Sequence, residues 1–292
     1  MRVGSEVAIP SQQPSTTQQH PRLVLFAIVI GGAGVYYACH LEQVPATGRW
    51  RFIDMSAEDE QRMGEQAFQS ILQQYRGQIL PPYAGAVQQV QRVARRIIRA
   101  CDKLDMQRSQ DAQRTNWTVH VIQDMSQKNA FVLPGGHIFV FTGILPTCQS
   151  DAGLATVMSH EISHQIARHS AEKVAGSKVL FAVAFVLDMM GWDIGLSRIL
   201  LNLVMSLPNS RKIESEADEL GLRIMSQACY DPREAVHFWY VNLLTSRQRM
   251  AAGERRESGI AEAAKALLST HPVNSQRIAK INEWVCVHEI DL

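Results

Sequence analysis

The residues best suited to chemistry are His160-Glu161-Ile162-Ser163-His164. The stretch 150–169 has helical character, with Leu154, Val157, Met158 and Ile162 spaced as an apolar face. On a helix, His160 and His164 stand one turn apart and share a face. Two imidazoles so placed can reach one Zn²⁺ at about 2 Å each. Glu161, beside the first ligand, is placed to take a proton from an attacking water and pass it to a leaving amine. The pattern His-Glu-x-x-His arises by chance in on the order of one per cent of chains this long. A surface helix that merely carries two histidines predicts no third ligand downstream, so the third ligand is the test.

One known arrangement puts that ligand on a His ten positions after the first, with Gly at seven. Those positions hold Ser170 and Ala167, and His169 is out of register, which excludes it. The other common arrangement takes a Glu from a later helix. Residues 211–222, RKIESEADELGL, supply one. Glu214 and Asp218 are four apart and share a face. Glu214 can ligate zinc while Asp218 accepts a hydrogen bond from a ligand imidazole and fixes its tautomer. Glu216 points about 160° away from that face. A Glu-rich helix standing alone reads as a solvated face; behind a His-Glu-x-x-His helix, ligation is the better reading. The expected site is one zinc per chain, held by His160, His164 and Glu214.

These residues need helices to carry them. Ser56-Ala57-Glu58-Asp59 reads as a capping box that opens a helix continued by Met63, Ala67, Ile71, Leu72 and Tyr75. Val87, Val90, Ala94, Ile97 and Ile98 define a second amphipathic helix to about residue 101, and residues 102–116 read as a loop. Residues 117–122 and 137–142 alternate as strands, the second introduced by Pro134-Gly135-Gly136. The fold class is α+β, mostly helical with a small sheet. An extended substrate could pair with the strand at 137–142 as an edge strand, through Ile138, Phe139 and Val140. His120 and His137 read as ordinary strand residues. The apolar stretch 179–207, interrupted by Asp188, Asp193 and Arg198, reads as a helical hairpin that packs on the core or touches a membrane surface, a second span being the alternative. Residues 246–262 read as a mobile loop.

The N-terminus adds a membrane. Residues 1–22 are polar and read as disordered. Residues 23–39, LVLFAIVIGGAGVYYAC, carry no charge and read as a transmembrane anchor. A cleaved signal peptide is the rival, but Ala38-Cys39-His40 is a poor cleavage site. Residues 40–55 read as a linker and 56–292 as the peptidase domain. A net charge of +1 without clustered Lys and Arg excludes a nucleic-acid binder. The five cysteines form no Cys-x-x-Cys pair, which argues against a thiolate zinc site.

His160-Glu161-x-x-His164 with Glu214-x-x-x-Asp218 resembles the membrane-linked zinc peptidases that include the CaaX prenyl protease and the bacterial heat-shock protease HtpX. Val44-Pro45-x-Thr47-Gly48-Arg49, Tyr75-Arg76-Gly77-x-Ile79-Leu80-Pro81, residues 129–136 and Ser269-Thr270-His271-Pro272 with Arg277 are similar to the mitochondrial inner-membrane branch of that family. The resemblance implies a gluzincin-type zinc endopeptidase with its catalytic domain facing the intermembrane space. It implies cleavage of membrane-anchored or misfolded proteins in quality control and stress, with the lipid bilayer as a second partner and a homo-oligomer as an option. It also implies that His271 stabilises the oxyanion or caps the zinc as a fourth ligand, and that Arg277 assists; the plain reading of His271 is a helix-start residue beside Pro272. A longer, more basic presequence than residues 1–22 is expected of this branch. The competing functions are a catalytically silent zinc protein that binds clients, against which Glu161 argues, and an exopeptidase, for which no terminus-holding motif is present.

Overall fold

The computed structural model describes residues 19–104, 115–189, 211–251, 271 and 275–288. Residues 1–18 of the disordered reading at 1–22, 105–114 of the loop at 102–116, 190–207 of the hairpin at 179–207, 252–262 of the loop at 246–262, and Ser269, Thr270 and Pro272 lie outside the described residues; 19–22 open one helix and 246–251 end another, which corrects the disordered and loop readings there. Contacts divide the chain into two units, 1–41 and 42–292.

In the first unit, helix α1 (Gln19–Cys39) contains the apolar run. Ile28, Val29, Ile30, Val35, Tyr36 and Tyr37 on it are exposed. Among the described residues no helix is long and apolar enough to cross a membrane.

The second unit opens with strands β1 (Leu41–Gln43) and β2 (Trp50–Phe52), which pair. The segment read as a linker at 40–55 is therefore, from residue 42 on, built into this unit. Val44 within it is buried with Ala167 and Leu220. Helix α2 (Ala57–Gln74) starts where Ser56 Oγ accepts from Asp59 N at 3.1 Å. Helix α3 (Gly85–Lys103) buries Val87, Val90, Val93, Ala94 and Ile97 on one face, the heptad-like spacing seen in the sequence.

Three strands follow: β3 (Thr118–Ile122), β4 (Ala130–Leu133) and β5 (His137–Phe141), in the order β3-β5-β4. β5 runs parallel to β3 and antiparallel to β4. Gly135 and Gly136, with φ of 94° and 91°, make the turn from β4 to β5 that side chains would resist. β5 is thus the central strand, with both sides hydrogen-bonded, and Ile138, Phe139 and Val140 are buried. This corrects its reading as an edge strand open to substrate. β4 escaped the sequence reading because its four apolar residues do not alternate. The outer side of β3 is partly covered by residues 78–80: Leu80 N donates to Val121 O and Gln123 N to Gln78 O. The open edge is β4.

Alternate residues of the sheet face two layers. Ile122, Phe139 and Phe141 pack on Phe68 and Ile71 of α2 and on Tyr75, which ends it. Val121, Ile138 and Val140 join the main core. After a 3-10 turn (Thr142–Ile144) and a short helix α4 (Leu145–Cys148), that core is centred on helix α5 (Asp151–Ile166), capped by Ser150. Residues 153–163 of α5 are all buried, not one face alone, because α3, the sheet and the later helices enclose it. Helix α6 (His169–Met189) turns off at Arg168, whose φ is 49°. Val179, Phe181 and Phe185 on it are exposed. Helices α7 (Arg211–Gln227), α8 (Arg233–Ala251) and α9 (Ser275–His288) complete the layer, α7 packing most extensively on α5.

Candidate metal centre

Helices α5 and α7 bring the site together. A Cβ at Gly221 would lie 3.3 Å from the backbone nitrogen of His160, so this glycine lets α7 sit tightly against the ligand turn of α5. His160, Glu161, Glu214, Asp218, His271 and Arg277 are all buried. His160 Nε2 lies 3.1 Å from His164 Nε2 and 3.3 Å from Glu214 Oε2, and His164 Nε2 lies 3.6 Å from Glu214 Oε1. His271 Nδ1 is 3.2 Å from His160 Nε2 and 3.1 Å from Glu214 Oε2. One donor atom from each of His160, His164, Glu214 and His271 falls within a 4.8 Å group.

This spacing fits zinc. Four donors about 2 Å from a tetrahedral ion stand about 3.3 Å apart. Three ring nitrogens and a carboxylate facing one another cannot satisfy each other with the protons they carry, whereas a shared cation satisfies all of them. Glu161 is beside this group but outside it. Its Oε1 lies 3.2 Å from His271 Nε2, yet the contact is not aligned as a hydrogen bond, and the oxygen is buried without a donor among the described residues.

Each zinc histidine has support behind it. His160 Nδ1 is 3.1 Å from Asp218 Oδ1, close enough for an ion pair though not squarely aligned. Arg277 holds Asp218 with two hydrogen bonds, 2.8 Å from Nε to Oδ2 and 2.7 Å from Nη2 to Oδ1. The Arg277 guanidinium also lies over Trp239, whose ring meets His160 edge-on. On the other side, His164 Nδ1 is 2.8 Å from His169 Nδ1, and His169 Nε2 is 2.9 Å from Glu216 Oε2.

Charges in the metal-free site follow from these contacts. Burial pushes His160 down, but Asp218 and Glu214 beside it raise it to about 9. Burial, with His160 and His271 nearby, holds His164 well below its ordinary value. Burial opposes charge on Glu214, yet His160 and His271 keep its carboxylate far below the usual range. Asp218 is likewise lowered: burial works against it, and Arg277 and His160 outweigh burial.

The structure therefore gathers the expected His160, His164, Glu214 and Asp218, and puts Glu161 and His271 against them. Ile138, Phe139 and Val140 lie elsewhere, inside the sheet. His169 and Glu216 were missed. His169 is indeed outside the donor group, but it backs His164. Glu216 does face away from Glu214, but into a buried contact, not solvent. The motif Thr47-Gly48-Arg49 was the available signal, since both its polar side chains reach Glu216.

Residues 87–285 match the family model for peptidase family M48. The chain belongs to that family. Its M48 site, with zinc as cofactor, makes it a zinc metalloendopeptidase. It is 42% identical over 285 residues to the mitochondrial metalloendopeptidase OMA1 of Schizosaccharomyces pombe, covering 96% of this chain and 77% of that protein. Against the protein of the same name from Saccharomyces cerevisiae it is 35% identical over 260 residues, 89% of this chain and 73% of the other. The human metalloendopeptidase OMA1 is 29% identical over 266 residues, 86% of this chain and 47% of its own length.

Proposed function

We propose that this M48 peptidase is anchored in the mitochondrial inner membrane, turns its catalytic unit to the intermembrane space, and cuts membrane-anchored or misfolded proteins under stress. The observation that carries the catalytic part is the convergence of His160, His164 and Glu214 with a buried Glu161 oxygen beside them that has no partner among the described residues. Mitochondrial placement is supported by the names of the similar proteins. The anchor is supported by the uncharged run 23–39 inside α1 and its exposed apolar side chains. Release of the chain from mitochondrial membranes by alkaline carbonate would remove the anchor from this reading.

His160, His164 and Glu214 would hold the zinc, which would supply a Lewis acid to polarise a peptide carbonyl and acidify a water. Glu161 Oε1, without a donor among the described residues, takes that water's proton and later gives it to the leaving amine. Asp218 keeps the His160 proton on Nδ1, so that Nε2 offers its lone pair. His271, whose Nδ1 joins the same donor group, would either take the fourth place at the metal or stand beside the negative charge that develops on the carbonyl oxygen.

The substrate lies along β4, which packs against α5 and whose outer side no described strand pairs. Asn129 O accepts from Phe141 N, so by alternation Val132 turns its N–H and C=O outward. Backbone pairing there recognises an extended chain with little side-chain selectivity. Val132→Pro removes that outward N–H and should raise KM about tenfold with zinc retained; unchanged kinetics would show that β4 is not the docking strand.

The deciding experiment uses the full chain and Glu161→Gln, measuring bound zinc and cleavage of an unfolded protein in parallel. Both should hold one zinc, and the variant should lose about 100- to 10,000-fold in kcat. Zinc in both without cleavage by either would favour a client-binding protein.

A further inference from the structure

We infer that Thr47, Arg49, Glu216 and His169 form one hydrogen-bonded relay that orients His164 toward zinc, so that the segment after α1 is a working part of the metal site. The inference rests on the zinc reading above and concerns residues outside the ligand set.

Proton placement gives the relay its direction. His164 turns Nε2 toward His160 and Glu214, so Nε2 must offer a lone pair to the metal. The one proton of the neutral ring then sits on Nδ1. Nδ1 faces His169 Nδ1 at 2.8 Å, so His169 accepts there and carries its own proton on Nε2. That proton points to Glu216 Oε2 at 2.9 Å. Oε2 also accepts from Arg49 Nε at 2.8 Å, and Oε1 accepts from the Thr47 hydroxyl. Arg49 is fixed in turn by Glu172 on α6, whose two oxygens accept from Nη1 at 2.8 Å and Nη2 at 2.6 Å. Every donor from the metal ligand to the arginine fork meets an acceptor, and only one tautomer of each imidazole allows it.

The setting argues against a purely structural role. His169 and Glu216 are 1% and 5% exposed, beside the apolar contact of Val44 with Ala167 and Leu220. Apolar side chains would fill this space without the desolvation cost of buried polar groups. This polar chain ends on a zinc ligand. An outer partner of this kind holds a ligand ring in one orientation and raises its basicity. Here the last partners lie on residues 44–49, looped by Val44 N donating to Arg49 O and Gly48 N donating to Val44 O, 2.9 and 2.7 Å. Displacing that loop would strip Glu216 of two donors and free His169 to turn.

The test compares His169→Phe and Arg49→Ala with Arg51→Ala in the full chain. Arg51 clasps the same segment, through Glu42 and the Ala167 carbonyl, without reaching Glu216. The readouts are zinc affinity by chelator competition, the absorption spectrum of the cobalt-substituted protein, and melting without metal. His169→Phe and Arg49→Ala should lose about 10- to 100-fold in zinc affinity and alter the cobalt spectrum, while Arg51→Ala stays within about threefold. Unchanged affinity in His169→Phe, or equal loss in Arg51→Ala, overturns the relay. Should His169→Phe fail to fold, Thr47→Val decides: weaker zinc with unchanged metal-free melting supports the relay, and unchanged zinc overturns it. A parent chain that binds no zinc would instead sink the metal site itself.

Discussion

The two zinc histidines of α5 stand one turn apart but are steadied by opposite means. Behind His160 is a single carboxylate, Asp218 on α7, clamped by Arg277 on α9. Everything in that arm is helical and buried in the main core. Behind His164 the carboxylate is one imidazole further away, and its counter-ion comes from a loop near the start of the unit, with 22% of the Arg49 side chain exposed. A short arm of core residues forms with the core. A long arm that ends on a loop depends on that loop being docked. The difference teaches that one zinc site can have a fixed half and a conditional half, although both ligands come from the same helix.

The comparison breaks most visibly at Asp218. Asp218→Ala takes two partner oxygens from the buried Arg277 guanidinium, which keeps Glu214 Oε2 at 3.2 Å, and leaves His160 Nδ1 without its carboxylate. Removing one member of a buried ion pair costs about 3–5 kcal/mol. Urea unfolding of the metal-free chain should show a loss of that size, with zinc binding lost as well. A loss under about 1 kcal/mol, the range of an exposed pair, would mean that the His160 arm is no firmer than the other.

Which parts were legible in the sequence follows from distance along the chain. His160 with His164 and Glu214 with Asp218 are each four apart on one helix, so their shared faces could be read before any packing was known. The start of α2 at Ser56 was legible for the same reason. His271 lies more than a hundred residues from His160, and nothing local marks it; only resemblance singled it out. The edge or centre position of a strand is a property of its neighbours, so β5 was misread and β4, too short to alternate, was missed. His169 was tested only as a ligand, where its register excludes it. Its role behind a ligand depends on the left-handed turn at Arg168, which aims its ring back at His164. Thr47 and Arg49 meet Glu216 across 169 and 167 residues of sequence, a contact that the fold alone creates.

A smaller effect separates the arms by pH. In the metal-free chain His160 is raised from 6.5 to about 9, so the stability it contributes is full below 6.5 and is lost as pH rises through 9. Burial works against charge on Glu216, but His169, Arg49 and Thr47 lower it from 4.5 to about 2. Its contribution is full above 4.5 and is lost as pH falls through 2. On the alkaline side the loss falls on the fixed arm; on the acid side it falls on both, since Asp218 and Glu214 are lowered as Glu216 is. Melting temperatures of the metal-free chain across this range should fall at both ends. His160→Gln should flatten the alkaline limb, because there the parent releases the proton that Asp218 and Glu214 hold. Glu216→Gln should remove part of the acid limb alone, other carboxylates supplying the rest. If Glu216→Gln flattened the alkaline limb as well, the two arms would be one electrostatic unit, and the division between a fixed and a conditional half would fall.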